Sequence, residues 1–454
     1  MTASTPVTVG VLSLHNSKET KAICNAVEAL GHEPAWLRRE NTEVEVSHGE
    51  VTLRPDVDVV VNRLLLSKST EPCEELGLAR TVAQLRPTLN DPAATLTAIH
   101  KVATAAALAR ADIPVPDALL ALESERLNAR LAATGTEAVY KTAIGTNGGG
   151  TWKVGPGERV NARVGNRYAF LQSLIERDPG DRARDLRVYV VGDRVVGSMF
   201  RYAPENDWRT NVALGGEVED AGEVIPESVR DIALRATDTV GLDYAGVDLV
   251  EGEDGWLVLE VNPTAGFKGL YEATGNSPAP YIAAHAVEAA GGAVADDRVA
   301  ELATVLDDSV PDCRPSAAPT SAREPQSIGY IEDVIVSGTG GSETVLAKSD
   351  TGATRTSIDT GLAAEIGAGP IKSITRVKSG SQKVSKSRPV VDLVVAVGGS
   401  RHTVTASVED RSHMQYPVLL GRDILQHYRV DVSRRADADG EDENDEEEEA
   451  SAEE

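Results

Sequence analysis

GVDLVEGEDGWLVLEVNPTAGFKG, residues 246 to 269, decides how the chain is read. Two strand-like runs flank Glu253-Asp254-Gly255, residues suited to a tight turn. Pairing centred on Asp254 sets Asp248 against Glu260, and Asn262, two residues further on, falls on the same face. Like charges opposed across a hairpin destabilise it. A divalent cation between the carboxylates removes the conflict, and Asn262 adds another oxygen. An oxygen-only donor set suits magnesium or manganese. Taken alone, the segment also fits an edge hairpin whose acids point to solvent.

Other segments supply the partners such a metal would need. VYKTAIGTNGGG, residues 139 to 150, ends a strand at Lys141 and continues into a glycine loop. Backbone N–H groups around Gly148 and Gly149, with the Lys141 ammonium, could hold phosphates. Lys101 lies on an alanine-rich segment read as one helix from Thr95 to Ala111. ARDLRVYVVGDRVVGSMFRY, residues 183 to 202, reads as a hairpin turning at Gly192-Asp193, and WRTNVALGG follows at 208 to 216. Arg187, Arg209 and Asn211 are candidate phosphate or carboxylate partners, though each alone also fits a solvated surface position.

In this order the motifs resemble the ATP-grasp superfamily, and within it the RimK-like glutamate ligases, over about residues 7 to 290. The residues that carry the resemblance are Lys101, Lys141 with its GTNGGG loop, DLR at 185 to 187, WRTN at 208 to 211, GVDL at 246 to 249 and LEVNPTAGFKG at 259 to 269. The resemblance implies that Lys101 and Lys141 hold the phosphates of ATP and that Asp185 and Arg187 lie beside the nucleotide. It also implies that Arg209 and Asn211 meet phosphate or an acyl intermediate, and that Asp248, Glu260 and Asn262 bind two magnesium ions. In the hinge that meets the adenosine, where relatives carry Gln-Glu followed by Tyr or Phe, this chain reads Gln172-Ser173-Leu174, which puts Ser173 and Leu174 against the nucleotide without an acid. The implied activity joins a carboxylate to an amine through an acyl phosphate. The amine is an amino acid, L-glutamate first, and the acceptor a protein C-terminus or a small molecule.

A second chemistry lies downstream. SDTGATRTSIDTG, residues 349 to 361, holds Asp-Thr-Gly twice, at Asp350 and Asp359. An apolar strand runs into Asp350, and YPVLLGRDIL follows at 416 to 425. This order resembles the retropepsin-like aspartic proteases over about residues 328 to 433, especially a group labelled ATP-dependent zinc protease. Asp359 precedes LAAEIG and reads as a helix cap. The second carboxyl of an aspartic dyad is then expected from Asp350 of another copy, in a two-fold homodimer. HExxH is lacking, and His402, His413 and His427 read as scattered rather than as zinc ligands.

The expected architecture is α/β: an open-sheet pre-ATP-grasp domain over 1–90, an ATP-grasp domain over 91–290, a helix and linker over 291–327, an all-β retropepsin-like barrel over 328–433, and a disordered acidic tail over 434–454. Acidic residues outnumber basic ones 71 to 45 and the net charge is −26. The stretch from 436 to the end holds 12 acids and no base, so the rest still carries −14. Such a balance argues against nucleic acid or an anionic membrane as partner. Only 12 basic residues are lysines, a pattern that fits a high-salt, halophilic cytoplasm. Cys24, Cys73 and Cys313 form no framework, and with no leader or long apolar run the chain reads as soluble and cytoplasmic. Two rival readings stay open: a dimeric peptidase regulated by an ATP-binding module, and a binding module without catalysis.

Overall fold

The computed structural model describes residues 5–69, 71–145, 150–175, 182–204, 208, 210, 216–315, 326–377 and 386–437. The chain forms two compact units, 1–318 and 319–454.

The first unit opens with a parallel sheet in the order Glu33–Leu37, Thr8–Leu12, Val59–Asn62, Thr88–Leu89. Its central strands are continuous apolar runs, as expected of parallel strands covered on both faces. The helix Lys18–Ala29 begins where the Ser17 side chain accepts from Thr20 N, and buries Ala22, Ile23, Ala26 and Val27 on one face. A small hairpin, Glu43–Ser47 with Glu50–Arg54, stands apart from this sheet.

The single helix read from Thr95 to Ala111 is two, Pro92–Ile99 and Lys101–Arg110. His100 leaves helical geometry (φ −97°, ψ 95°) and its Nδ1 accepts from Ala103 N, capping the second helix. Lys101 N donates to Ala143 O, which ties the new helix start to the strand end after Lys141. A tertiary hydrogen bond thus overrides the helix preference of the alanines.

Ala138–Thr142, Thr151–Val154, Arg163–Val164, Arg167–Ser173 and Ala118–Leu120 form one antiparallel sheet. A second runs in the order Glu217–Asp220, Arg194–Tyr202, Arg184–Val191, Tyr244–Gly252, Gly255–Asn262. One of its faces, with Leu186, Val188, Val247 and Leu249, packs on the helix Glu227–Val240. The other is apolar at one end, where Tyr189, Val191, Met199 and Tyr244 join the core of the N-terminal sheet, and charged at the other. The helix expected within 291–327 is Asp296–Ala303. Beyond it Asp307 accepts from Ser309 N and Asn25 Nδ2 donates to Asp307 O and Ser309 O, pinning the chain against the first helix.

Among its described residues the second unit is all-β apart from Thr360–Glu365 and Arg422–Leu425. Lys386–Val397, Ser400–Glu409, Ser357–Asp359, Val418–Leu420, Ser342–Ser349 and Gln326–Ser337 follow one another, and pairing of the last with the first closes a six-stranded barrel. Tyr428–Arg435 adds a parallel strand, and Tyr416 Oη donates to Asp437 Oδ2, so the start of the expected tail is held. The rest of that tail lies outside the described residues. Among the described residues no helix is long and apolar enough to cross a membrane.

Candidate active site

The charged face of the second sheet is built by cross-strand register. Arg187 stands opposite Asp248, Asp248 opposite Glu260, and Asp185 opposite Arg201. Arg187 Nε and Nη2 donate to Asp248 Oδ1 and Oδ2 at 2.6 and 2.7 Å, and Arg201 grips Asp185 the same way at 2.6 and 2.7 Å. Arg201 Nη2 also reaches Asp248 Oδ2 at 3.0 Å. Lys101 pairs with Glu260, Thr210 Oγ1 donates to Asp185, and Asn262 Nδ2 lies 3.2 and 3.3 Å from Asp248 and Glu260. Lys141 Nζ donates to Gln172 Oε1 at 2.6 Å.

The two opposed carboxylates, expected to be reconciled by a divalent cation, also have protein partners: three cationic side chains sit on them. The donor set still fits a hard cation, because Asp248 and Glu260 present carboxylate oxygens and rotation of the Asn262 amide brings its oxygen to the same place. Burial opposes ionisation of Glu260, but Lys101, Lys141 and Arg187 outweigh it and hold the carboxyl far below its ordinary value. At Asp248 burial wins and lifts the pKa against Arg187 and Arg201. Burial, then Lys101, pushes Lys141 down to about 8, with Glu260, Asp185 and Asp248 pulling the other way.

These groups line a cavity of about 430 Å³ that also takes in His15, Glu19, Arg63, Lys68 and the 264–266 turn. Among the described residues six cationic and four carboxylate side chains face it, in a chain whose net charge is −26. This local excess of positive charge suits an anionic ligand. Lys101, Lys141, Asp185, Arg187, Asp248, Glu260 and Asn262 are brought together here as expected. Ser173 and Leu174 instead line a smaller pocket with Asp117, Arg130 and Glu137. Gly148, Gly149, Arg209 and Asn211 lie outside the described residues. Arg201, Thr210 and Arg63 line the cavity as well, none of them singled out in the sequence. Arg201 was within reach, since it lies almost opposite Asp185 in a hairpin already recognised.

Residues 98–285 match the RimK-like ATP-grasp domain family, and 363–440 match the retropepsin-like aspartic endopeptidase RimB family. A probable alpha-L-glutamate ligase of Haemophilus influenzae is 30% identical over 236 residues, covering 51% of this chain and 77% of the relative. The chain belongs to the RimK-like ATP-grasp family. A tetrahydromethanopterin:alpha-L-glutamate ligase of Methanosarcina acetivorans is 32% identical over 226 residues, covering 43% of this chain and 68% of the relative. The ribosomal protein bS6–L-glutamate ligase of Escherichia fergusonii is 43% identical over 110 residues, 24% of this chain and 35% of the relative. Among solved structures, the ATP-grasp ligase PsnB complexed with minimal precursor matches with a TM-score of 0.50 at 22% identity, over 63% of this chain and 100% of that one, a likeness of fold. The RimK-like unit is therefore an ATP-dependent ligase of the glutamate-ligase type, joined to a retropepsin-like unit.

In that second unit the strand Ser342–Ser349 runs into Asp350, whose Oδ1 accepts from Gly352 N and Ala353 N. Asp350 N donates to Leu420 O, and Gly421 N to Thr356 Oγ1. A Cβ on Gly421 would fall 2.3 Å from the Arg355 carbonyl carbon, so only glycine lets the two loops meet. Asp359 caps Thr360–Glu365, accepting from Gly361 N and Leu362 N, as expected of it. His402 and His427 are not scattered: their rings stack at 5.3 Å, and His402 Nε2 lies 2.6 Å from Tyr428 Oη. Among the described residues no third ligand completes a metal cluster.

Proposed function

We propose that the first unit uses ATP and two magnesium ions to attach L-glutamate to a carboxylate acceptor through an acyl phosphate. The observation that carries this reading is the surplus of cationic side chains around the Asp185, Asp248 and Glu260 carboxylates in one cavity. Lys101 and Lys141 take the phosphates, leaving Glu260 and Asp248, with Asn262, to hold the ions. Once bound, the ions would neutralise the transferring phosphoryl group. Arg187 and Arg201 hold the Asp248 carboxylate in register, although it is only 2% exposed, and oppose the burial that raises its pKa. Arg209 and Asn211 are assigned to the phosphate or acyl group, and Gly148 and Gly149 to the phosphates, by the family resemblance alone. The acceptor is a protein C-terminus, as the family resemblance implies, or a small molecule; the relatives' names state ribosomal protein bS6 and tetrahydromethanopterin. ADP release by the full chain, measured with and without L-glutamate and with magnesium chelated, tests the reading; release that ignores both would refute it.

The Asp350 loop favours a second activity. One chain brings one Asp-Thr-Gly carboxylate to the loop, because the other is spent on a helix cap. An aspartic dyad would come from a homodimer through this unit. Sedimentation and peptide cleavage by the full chain test it, and a monomer that cleaves would exclude a shared dyad.

A further inference from the structure

One end of the cavity is walled by the N-terminal parallel sheet. Arg63 directly follows the strand Val59–Asn62 and is 3% exposed. Its guanidinium lies 5.3 Å from the Phe267 ring and 6.0 Å from that of Tyr244. Its Nε and Nη1 are buried without a hydrogen-bond partner among the described residues. The rings of Phe267 and Tyr244 face the guanidinium but offer Nε and Nη1 no acceptor, and buried polar groups are almost always partnered. Two donors left in this state in a cavity wall point to a ligand that brings the acceptors.

The neighbouring charges narrow the ligand. Burial lowers the pKa of His15, Arg63 and Lys68 push it the same way and Glu19 raises it, so these groups share one neighbourhood. Glu19 Oε1 lies 3.3 Å from where a Cβ on Gly266 would stand, so Glu19 reaches the turn that follows Asn262. Glu19 would repel a phosphate and suits an amine. Two cations and one carboxylate complement a dicarboxylic amino acid, which carries two anions and one amine.

We propose that this end of the cavity is the amino-acid subsite, with Arg63 holding one carboxylate of L-glutamate, Lys68 facing the other and Glu19 facing the amine. The proposal rests on the ligase reading and deepens it.

The test is calorimetric titration of L-glutamate into the full chain saturated with magnesium and the ATP analogue AMPPNP. In Arg63→Gln, L-glutamate affinity falls about tenfold or more while AMPPNP affinity stays within about twofold, because a charged hydrogen bond is lost at one subsite only. Arg63→Lys retains part of the affinity, and Lys68→Gln, at an exposed position, weakens L-glutamate by about threefold. L-isoglutamine and L-glutamine identify the carboxylate: the analogue lacking Arg63's partner binds wild type and Arg63→Gln equally. Unchanged L-glutamate affinity in Arg63→Gln, or an equal loss of L-glutamate and AMPPNP, overturns the proposal. So does a wild type that binds AMPPNP but not L-glutamate. A wild type that does not bind AMPPNP refutes the ligase reading itself.

Discussion

Asp248 and Glu260 stand opposite each other across a hairpin whose turn alone would not pair them. The turn is the two-residue Glu253-Asp254, with Gly252 opposite Gly255, and an uninterrupted ladder from it would set Asp248 against Leu259. A bulge at Leu259 shifts the register by one and delivers Glu260. The neighbouring hairpin repeats the device. Val191 opposite Arg194 would lead to Asp185 opposite Phe200, and the irregularity at Val196 brings Arg201 instead.

Glu260→Gln should therefore remove amino-acid-dependent ADP release. The substitution keeps the shape but takes away the charge that holds Lys101 and the proposed ion. A fall in kcat of about a hundredfold or more is expected, the size found when an electrostatic group at a reacting centre is lost. Steady-state ADP release checks it, and turnover near the wild-type rate would dissociate Glu260 from the chemistry.

Nucleotide affinity should weaken at alkaline pH. Lys141 titrates at about 8 because burial, then Lys101, disfavours its charge. A lysine with a lowered pKa is cationic below that value and neutral above it, so affinity is flat near pH 7. Above pH 8 it drops by up to about tenfold per unit, with uptake of a proton on binding. AMPPNP titrations across this range measure it, and a pH-independent affinity would put Lys141 away from the phosphates.

Arg201→Met should destabilise the first unit. Asp185 and Asp248, 6% and 2% exposed, would both lose a guanidinium partner. Breaking a buried pair from one side costs about 3–5 kcal/mol. The urea midpoint of the full chain is expected to fall, and an unshifted midpoint would mean the two acids find other partners.

Asp350→Asn should abolish any peptide cleavage by the full chain and leave ADP release untouched, since the two compact units hold the two sets of residues separately. Parallel assays on the one variant check this. Loss of both activities would mean that the units depend on each other for folding or for catalysis.

Residue type and spacing set the element types and mark the chemistry to look for. Continuous apolar runs such as Val59–Val61 fix parallel strands, the Asp-Thr-Gly repeat separates a loop acid from a cap, and paired acids near a turn mark a charged hairpin. These signals are local, carried by a residue's type and its spacing from a few neighbours. Only the tertiary structure decided which charges meet. Two bulges set the register of the charged face, a bond from Lys101 N to Ala143 O split one helix into two, and Arg63 came to line the cavity from a different sheet. Sequence spacing does not record a one-residue slip or an approach between distant strands, and at the scale of an ion pair either one changes the partner.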